Sequence, residues 1–196
     1  MRKLIVSNII SIDGYFEGEN QDVLALPMDD AFDAHNTERL QAADILLFGA
    51  KTYRLFEDFW PGLQDDPAAS PVLRRISHLN NDIPKVVVSD GIDPGTPGPW
   101  RDTTRVLRRR EAHAAIAELK AEASEKDIIL FGSRTLWRDL MRANLVDEVH
   151  LMIGAAVLGT GTPAFFQPPR GRLELLGVRT WRNSNNVLLR YAVGTE

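Results

Sequence analysis

Two stretches of this sequence carry residue types that let a protein backbone bind an anion. Asp127 to Phe131 is a short apolar run closed by Gly132, and Ser133 opens a segment whose Leu136, Trp137, Leu140 and Met141 recur at three and four residues. That spacing predicts a buried strand, a glycine turn and a helix with Ser133 at its N-cap. The same order occurs earlier. Asp44 to Gly49 reads as a buried strand ending in glycine, followed by AKTYRLFEDFW with Tyr53, Phe56 and Trp60 on one face. A strand that ends in glycine and runs straight into a helix points free backbone N–H groups out at the carboxyl end of a sheet, where a phosphate can sit. An ordinary strand-to-helix connection looks the same, and the turn alone does not separate the two.

Carboxylates supply the second chemistry. Leu4 to Ile12 is apolar on both faces apart from Ser7, Asn8 and Ser11, which places it centrally in a sheet, and Asp13 with Gly14 ends it. An acid there is placed for ligand work, although Asp-Gly is also a common turn pair. Tyr15 to Leu26 is a glycine- and acid-rich loop, longer than most connections and so read as a functional lid. Pro27, Asp29 and Asp30 then start a helix running to about Gln41.

The elements that must position these groups follow in order. A short helix near Val72 to Leu79 precedes a β-branched strand, Lys85 to Ser89, and then the turn-rich GIDPGTPGP. Arg105 to Leu107 reads as a short strand, and Glu111 to Ala123 as an alanine-rich helix. Leu173 to Asn183 and Val187 to Val193, joined by Ser-Asn-Asn, read as a terminal antiparallel hairpin. Strands alternating with helices and closing on a hairpin predict an α/β fold: a mostly parallel sheet between two helical layers, with an antiparallel edge. The 196 residues suffice for one domain spanning the chain, residues 1–196.

Composition narrows the function. There is no cysteine, which removes thiol nucleophiles and zinc knuckles and fits a reducing cytoplasm. His35, His78, His113 and His150 have no metal-like spacing. A net charge of −4 argues against a general nucleic-acid surface, and Arg108 to Arg110 form one local basic knot. The longest nearly apolar run, Val149 to Gly159, is too short to cross a bilayer.

With these pieces laid out, the chain resembles the dihydrofolate reductase-like fold, and within it the group similar to the C-terminal reductase domain of bacterial riboflavin-biosynthesis proteins. The resemblance is carried by SIDGY at Ser11 to Tyr15, GxxTY at Gly49 to Tyr53, KVVVS at Lys85 to Ser89, FGSxxL at Phe131 to Leu136, LVDEVHL at Leu145 to Leu151 and VLGTGTPAFF at Val157 to Phe166. It implies a reductase that takes hydride from NADPH, with the cofactor held by Gly49, Lys51, Thr52, Ser89, Gly132, Ser133 and Leu136. Ala50 and Asp90 depart from the basic residues common at their positions, so NADH is the other possibility; Lys51 or the knot from Arg108 would compensate for Asp90.

The segment LPMDDAFDAHNT is similar to the substrate-binding helix of bacterial dihydrofolate reductases and implies that Asp29 is the acid that holds a heterocycle and promotes its protonation. Asp13 is the candidate if the chain follows the riboflavin-type reductases, and complementing a helix N-terminus is the structural alternative for Asp29. The resemblance further implies 5-amino-6-(5-phosphoribosylamino)uracil reduction, with a stand-alone pterin reductase or a non-catalytic nucleotide-binding module as alternatives. It also implies a homodimer, a small-molecule substrate and no nucleic-acid or membrane partner.

Overall fold

The computed structural model describes residues 2–165 and 172–194. In chain order the strands and α-helices are β1 (Leu4–Ser11), β2 (Tyr15–Glu17), α1 (Asp30–Ala42), β3 (Ala43–Gly49), α2 (Ala50–Phe59), α3 (Pro71–Asp82), β4 (Lys85–Val88), β5 (Thr104–Leu107), α4 (Arg109–Ala121), β6 (Asp127–Phe131), α5 (Arg134–Arg142), β7 (Glu148–Gly154), β8 (Thr162–Pro163), β9 (Leu173–Thr180) and β10 (Val187–Val193). The main sheet has eight strands in the order β5-β4-β3-β6-β1-β7-β10-β9. The first six run parallel, and β10 and β9 close the sheet antiparallel.

Side chains alternate across this sheet and divide the core in two. Leu4, Val6, Ile128 and Leu130 pack against Ile116 of α4 and Leu136, Trp137, Leu140 and Met141 of α5. Ile5, Leu46, Phe48, Val87 and Ile129 pack on the opposite face against Leu40 of α1, Tyr53 of α2 and Ile76 of α3. Strands covered on both faces are largely apolar, and β1 is buried at all eight positions, with Ser7, Asn8 and Ser11 its polar residues. Full burial of one such side chain contributes roughly 1.5–3 kcal/mol.

The differences from the sequence reading are local. The helix expected near Val72 to Leu79 is longer because Ser70 caps it, its hydroxyl oxygen accepting the Leu73 N–H at 3.2 Å, with Pro71 at the first position. The loop expected from Tyr15 to Leu26 begins with β2, which pairs with β8 in a two-stranded ribbon. Phe166, at the end of the VLGTGTPAFF segment, lies outside the described residues. Among the described residues no helix is long and apolar enough to cross a membrane.

Candidate functional site at the carboxyl edge of the sheet

Because β1, β3, β4, β6 and β7 run parallel, Asp13, Gly49, Ser89, Gly132 and Gly154 all lie along one edge of the sheet. β3 and β6 are neighbours, so the two strand-glycine-helix turns stand side by side. They are joined directly. The Ser133 hydroxyl accepts the Gly49 N–H at 2.9 Å, and the Ser133 N–H donates to the Thr52 hydroxyl at 2.9 Å. Ser133 sits at the N-cap position of α5 but makes no side-chain cap bond; its φ of 47° is left-handed, which turns its hydroxyl toward the neighbouring turn. Gly132 is left-handed too, its N–H donates to the Asn8 side chain at 2.7 Å, and a Cβ there would meet the Thr52 methyl at 2.9 Å.

The N–H groups expected to be free at Gly49, Gly132 and Ser133 are therefore engaged: those of Gly49 and Ser133 hold the two turns together, and that of Gly132 ties its turn to Asn8 of β1. The N-termini of α2 and α5 both stand at this edge, and a helix N-terminus is a position that favours an anion. Leu136 is buried beneath Gly49 and acts on the turn through packing. Lys51 reaches across to β2, its ammonium 3.5 Å from Glu17.

A second polar corner lies further along the same edge. The Ser89 hydroxyl accepts the N–H groups of Gly91 and Ile92, fixing the chain as it leaves β4. Arg108 donates to the carbonyls of Ser89, Asp90 and Ile92, and the Asp90 carboxylate accepts the Arg109 N–H at 3.0 Å with the Arg109 guanidinium 3.6 Å away. Asp90, Arg108, Arg109 and Arg110 line one shallow concavity at the start of α4. Asp90 is thus answered by arginine, and the surface keeps an excess of positive charge.

The acids divide by environment. Asp13 is exposed, and its carboxylate accepts the N–H groups of Leu158 and Gly159 at 3.1 and 2.7 Å. The Ser11 hydroxyl and these amides hold its carboxyl down to about 2, so it stays ionised and clamps the loop ahead of β8. That loop forms a wall: Gly14 accepts the Ala164 N–H, Tyr15 donates to the Gly159 carbonyl, and a Cβ on Gly161 would fall on the Glu17 carbonyl oxygen.

Asp29 caps α1. One carboxylate oxygen accepts the N–H groups of Ala31 and Phe32 and the Asn186 amide, and the other accepts the Ser184 hydroxyl at 2.6 Å. The turn between β9 and β10 is thereby tied to the start of the helix.

Asp33, one turn further along α1, makes no such hydrogen bonds among the described residues and is half-buried. Loss of water around it pushes its carboxyl up to about 6, with the charges of Asp30 and Asp29 adding to the effect. Asp33 and Leu40 are seven residues apart and share a helix face; Leu40 packs with Tyr53 of α2 and Ile76 of α3. Asp33 therefore lies on the face of α1 that carries Leu40. Exposed apolar side chains stand on the segments leaving the same edge: Ile12 after β1, Met28 before α1, and Leu55 and Phe59 on α2. Exposed apolar side chains beside a few fixed polar groups are the residue types that small-molecule sites use.

The model of the RibD C-terminal domain family matches residues 2–189 of this sequence. The chain belongs to that family. This RibD C-terminal domain is 28% identical over 181 residues to the uncharacterised protein YyaP of Bacillus subtilis, covering 92% of this chain and 89% of that one. It superposes on a pyrimidine reductase-like protein from Corynebacterium diphtheriae with a TM-score of 0.63 at 17% identity, over 100% of this chain and 93% of that one. It also matches a diaminohydroxyphosphoribosylaminopyrimidine deaminase/5-amino-6-(5-phosphoribosylamino)uracil reductase from Thermotoga maritima, with a TM-score of 0.67 at 12% identity, over 98% of this chain and 56% of that one. At these identities the structural likeness establishes the dihydrofolate reductase-like fold.

Sequence reasoning on this RibD C-terminal domain located both glycine turns but not the bonds between them, and it missed Asp33. The available signal was its place four residues after Asp29, which puts both acids on adjacent turns of one helix face. The environment of Asp29 comes from the hairpin turn, more than 150 residues away along the chain, and that of Asp33 from burial.

Proposed function

We propose that this protein is an NADPH-dependent reductase that delivers hydride to a small heterocyclic or imine-like substrate resembling 5-amino-6-(5-phosphoribosylamino)uracil. The observation that carries the reading is the pair of glycine turns held together by Ser133, which sets two helix N-termini side by side at the carboxyl edge. Two adjacent N-termini suit the two phosphates of a pyrophosphate. The fit extends to the corner beyond β4, where Arg109 and Arg110 would meet a 2′-phosphate and Asp90 is already engaged. NADPH, when bound, supplies the hydride. Asp13 keeps the β8 wall in place, Asp29 fixes the start of α1, and Asp33 gives the substrate heteroatom the proton that balances the hydride. A carboxyl near 6 still holds protons close to neutral pH, whereas one near 2 does not.

Fluorescence titration with NADPH and NADH tests the cofactor assignment. Tighter binding of NADPH is expected, and the double substitution Arg109→Gln and Arg110→Gln should erase about a tenfold or larger part of that preference. Absence of binding to both cofactors would sink the reductase reading in favour of a non-catalytic module. Oxidation of NADPH with the ribosylaminouracil and with 7,8-dihydropterin then separates a riboflavin-type from a pterin-type activity.

Asp33→Asn makes a second, two-part prediction. An acid whose carboxyl is raised on folding contributes stability below about pH 3.8 and loses it as pH rises through about 6. Above that point the ionised carboxylate strains the fold. Asp33→Asn should therefore raise the melting temperature at neutral pH while lowering turnover about a hundredfold. A lower melting temperature with unchanged turnover would refute the proton-donor role.

A further inference from the structure

β1 loses one neighbour before the other. It pairs with β6 from Leu4 to Ser7 and with β7 from Ile5 to Ser11, so among the described residues no strand flanks Asn8 to Ser11 on the β6 side. The two chains then part to opposite faces. β6 runs into α5, which packs with Val6 and Leu130, whereas β1 leads on to α1, whose Leu40 packs with Ile5 and Ile129. Parallel strands whose connections separate in this way leave a crevice at their carboxyl ends, and ligands of open α/β sheets enter there.

Asn8 stands where the crevice begins. Its Oδ1 accepts the Gly132 N–H at 2.7 Å, one residue beyond the last β1–β6 pair, Ser7 with Phe131. A side chain thus takes over from the ladder at the point where β6 becomes a left-handed turn. Asn8 is 7% exposed, and its Nδ2 finds no hydrogen-bond partner among the described residues. An orphaned buried donor costs at least as much as one hydrogen bond returns, so on balance this side chain adds little to stability. What it fixes is the place of Gly132 relative to β1.

We propose that Asn8 is a positioning residue for cofactor binding, which anchors the turns joined by Ser133 to β1, the strand that leads to the substrate side. The proposal rests on the reading of those turns as the cofactor cradle. Ser133 and Thr52 tie the turns to each other, and Asn8 ties them to the sheet. An amide suits this task because it presents a neutral acceptor, whereas a carboxylate would bury a charge among apolar groups. Val6 and Ile10 share its face of β1, Leu151 is its register partner on β7, and Leu136 and Trp137 of α5 pack over that face; none is ionisable. Arg134, which opens α5, donates to the Pro163 carbonyl.

Fluorescence titration with NADPH is the test, with melting temperatures recorded alongside. Asn8→Leu keeps a similar shape and removes the acceptor, and it should weaken NADPH binding at least about tenfold, because the turn is then free to shift from β1. Asn80→Leu is the matched control. Asn80 is also buried, its Nδ2 donating to the Ile76 carbonyl at 3.0 Å and its Oδ1 unpartnered among the described residues, but it lies near the end of α3, beside the start of β4 and away from the carboxyl edge. Its substitution should lower the melting temperature and leave the affinity unchanged. Asn8→Asp supplies the rescue. At about pH 5.5 burial keeps the introduced carboxyl protonated and a neutral acceptor, so affinity should return to within about threefold of the wild type; at about pH 8 it ionises and the rescue should be lost. Equal affinities of the wild type and Asn8→Leu would overturn the proposal and leave the cofactor reading intact, as would an equal loss in Asn80→Leu or no rescue at the lower pH. A wild type that binds neither NADPH nor NADH would overturn both.

Discussion

Gly132→Ala should weaken NADPH binding about a hundredfold while the protein stays folded. Gly132 has φ +58°, and a left-handed residue with a Cβ costs roughly 1–2 kcal/mol in the backbone alone. The added methyl would meet the Thr52 side chain at 2.9 Å, and Thr52 is the acceptor for the Ser133 N–H. Relief requires Thr52 to move, which breaks one of the two bonds between the turns and separates the helix N-termini. Displacing binding groups by about 1 Å is enough for a hundredfold effect. Gly62→Ala, where nothing lies within 4 Å of the added methyl, is the control and should bind as the wild type does. Equal affinities for the two variants would mean that the joined turns do not hold the cofactor.

Acid should unfold this protein through a pair of histidines rather than through its carboxylates alone. His35 of α1 and His150 of β7 are buried, with ring centroids 5.4 Å apart, and His35 Nε2 and His150 Nδ1 find no hydrogen-bond partner among the described residues. Burial holds His35 down to about 3, and His150 together with Arg39, Arg179 and Arg190 adds to the effect. His150 is lowered as well, chiefly by burial, although its bond to Glu148 at 3.0 Å opposes the shift.

An unfolded chain takes up these protons below about pH 6.5, whereas the folded chain refuses the one on His35 until about 3, so stability falls across that window. The loss from His35 is on the order of 3 kcal/mol by about pH 4. His35→Phe keeps the ring packing and removes the proton. Its urea midpoint should change far less between about pH 7 and pH 4 than that of the wild type, and parallel losses in the two proteins would refute the assignment.

The parallel strands and both glycine turns were legible in the sequence because a sheet covered on both faces writes largely apolar runs, and the runs of β3 and β6 end where a glycine stands. The β2–β8 ribbon was not, since pairing of two or three residues leaves no periodicity. Nor was the histidine pair, because His35 and His150 become neighbours only when α1 lies across β7.

Asp13, Asp29 and Asp33 show the same division within the candidate site. Sequence placed the first at a strand end and the second at a helix start, and both positions stand. What each acid can do was decided by partners far along the chain: Leu158 and Gly159 for Asp13, and Ser184 and Asn186 for Asp29. The burial that raises Asp33 was likewise set only when α1 took its place in the fold.

By itself the sequence determined the family and the order of elements, both of which follow from local pattern and spacing. Only the tertiary structure decided that Ser133 joins two turns instead of capping its helix, and that the Asp33 carboxyl is raised to about 6. Hydrogen bonds and loss of water set those properties, and both depend on residues that folding alone brings together.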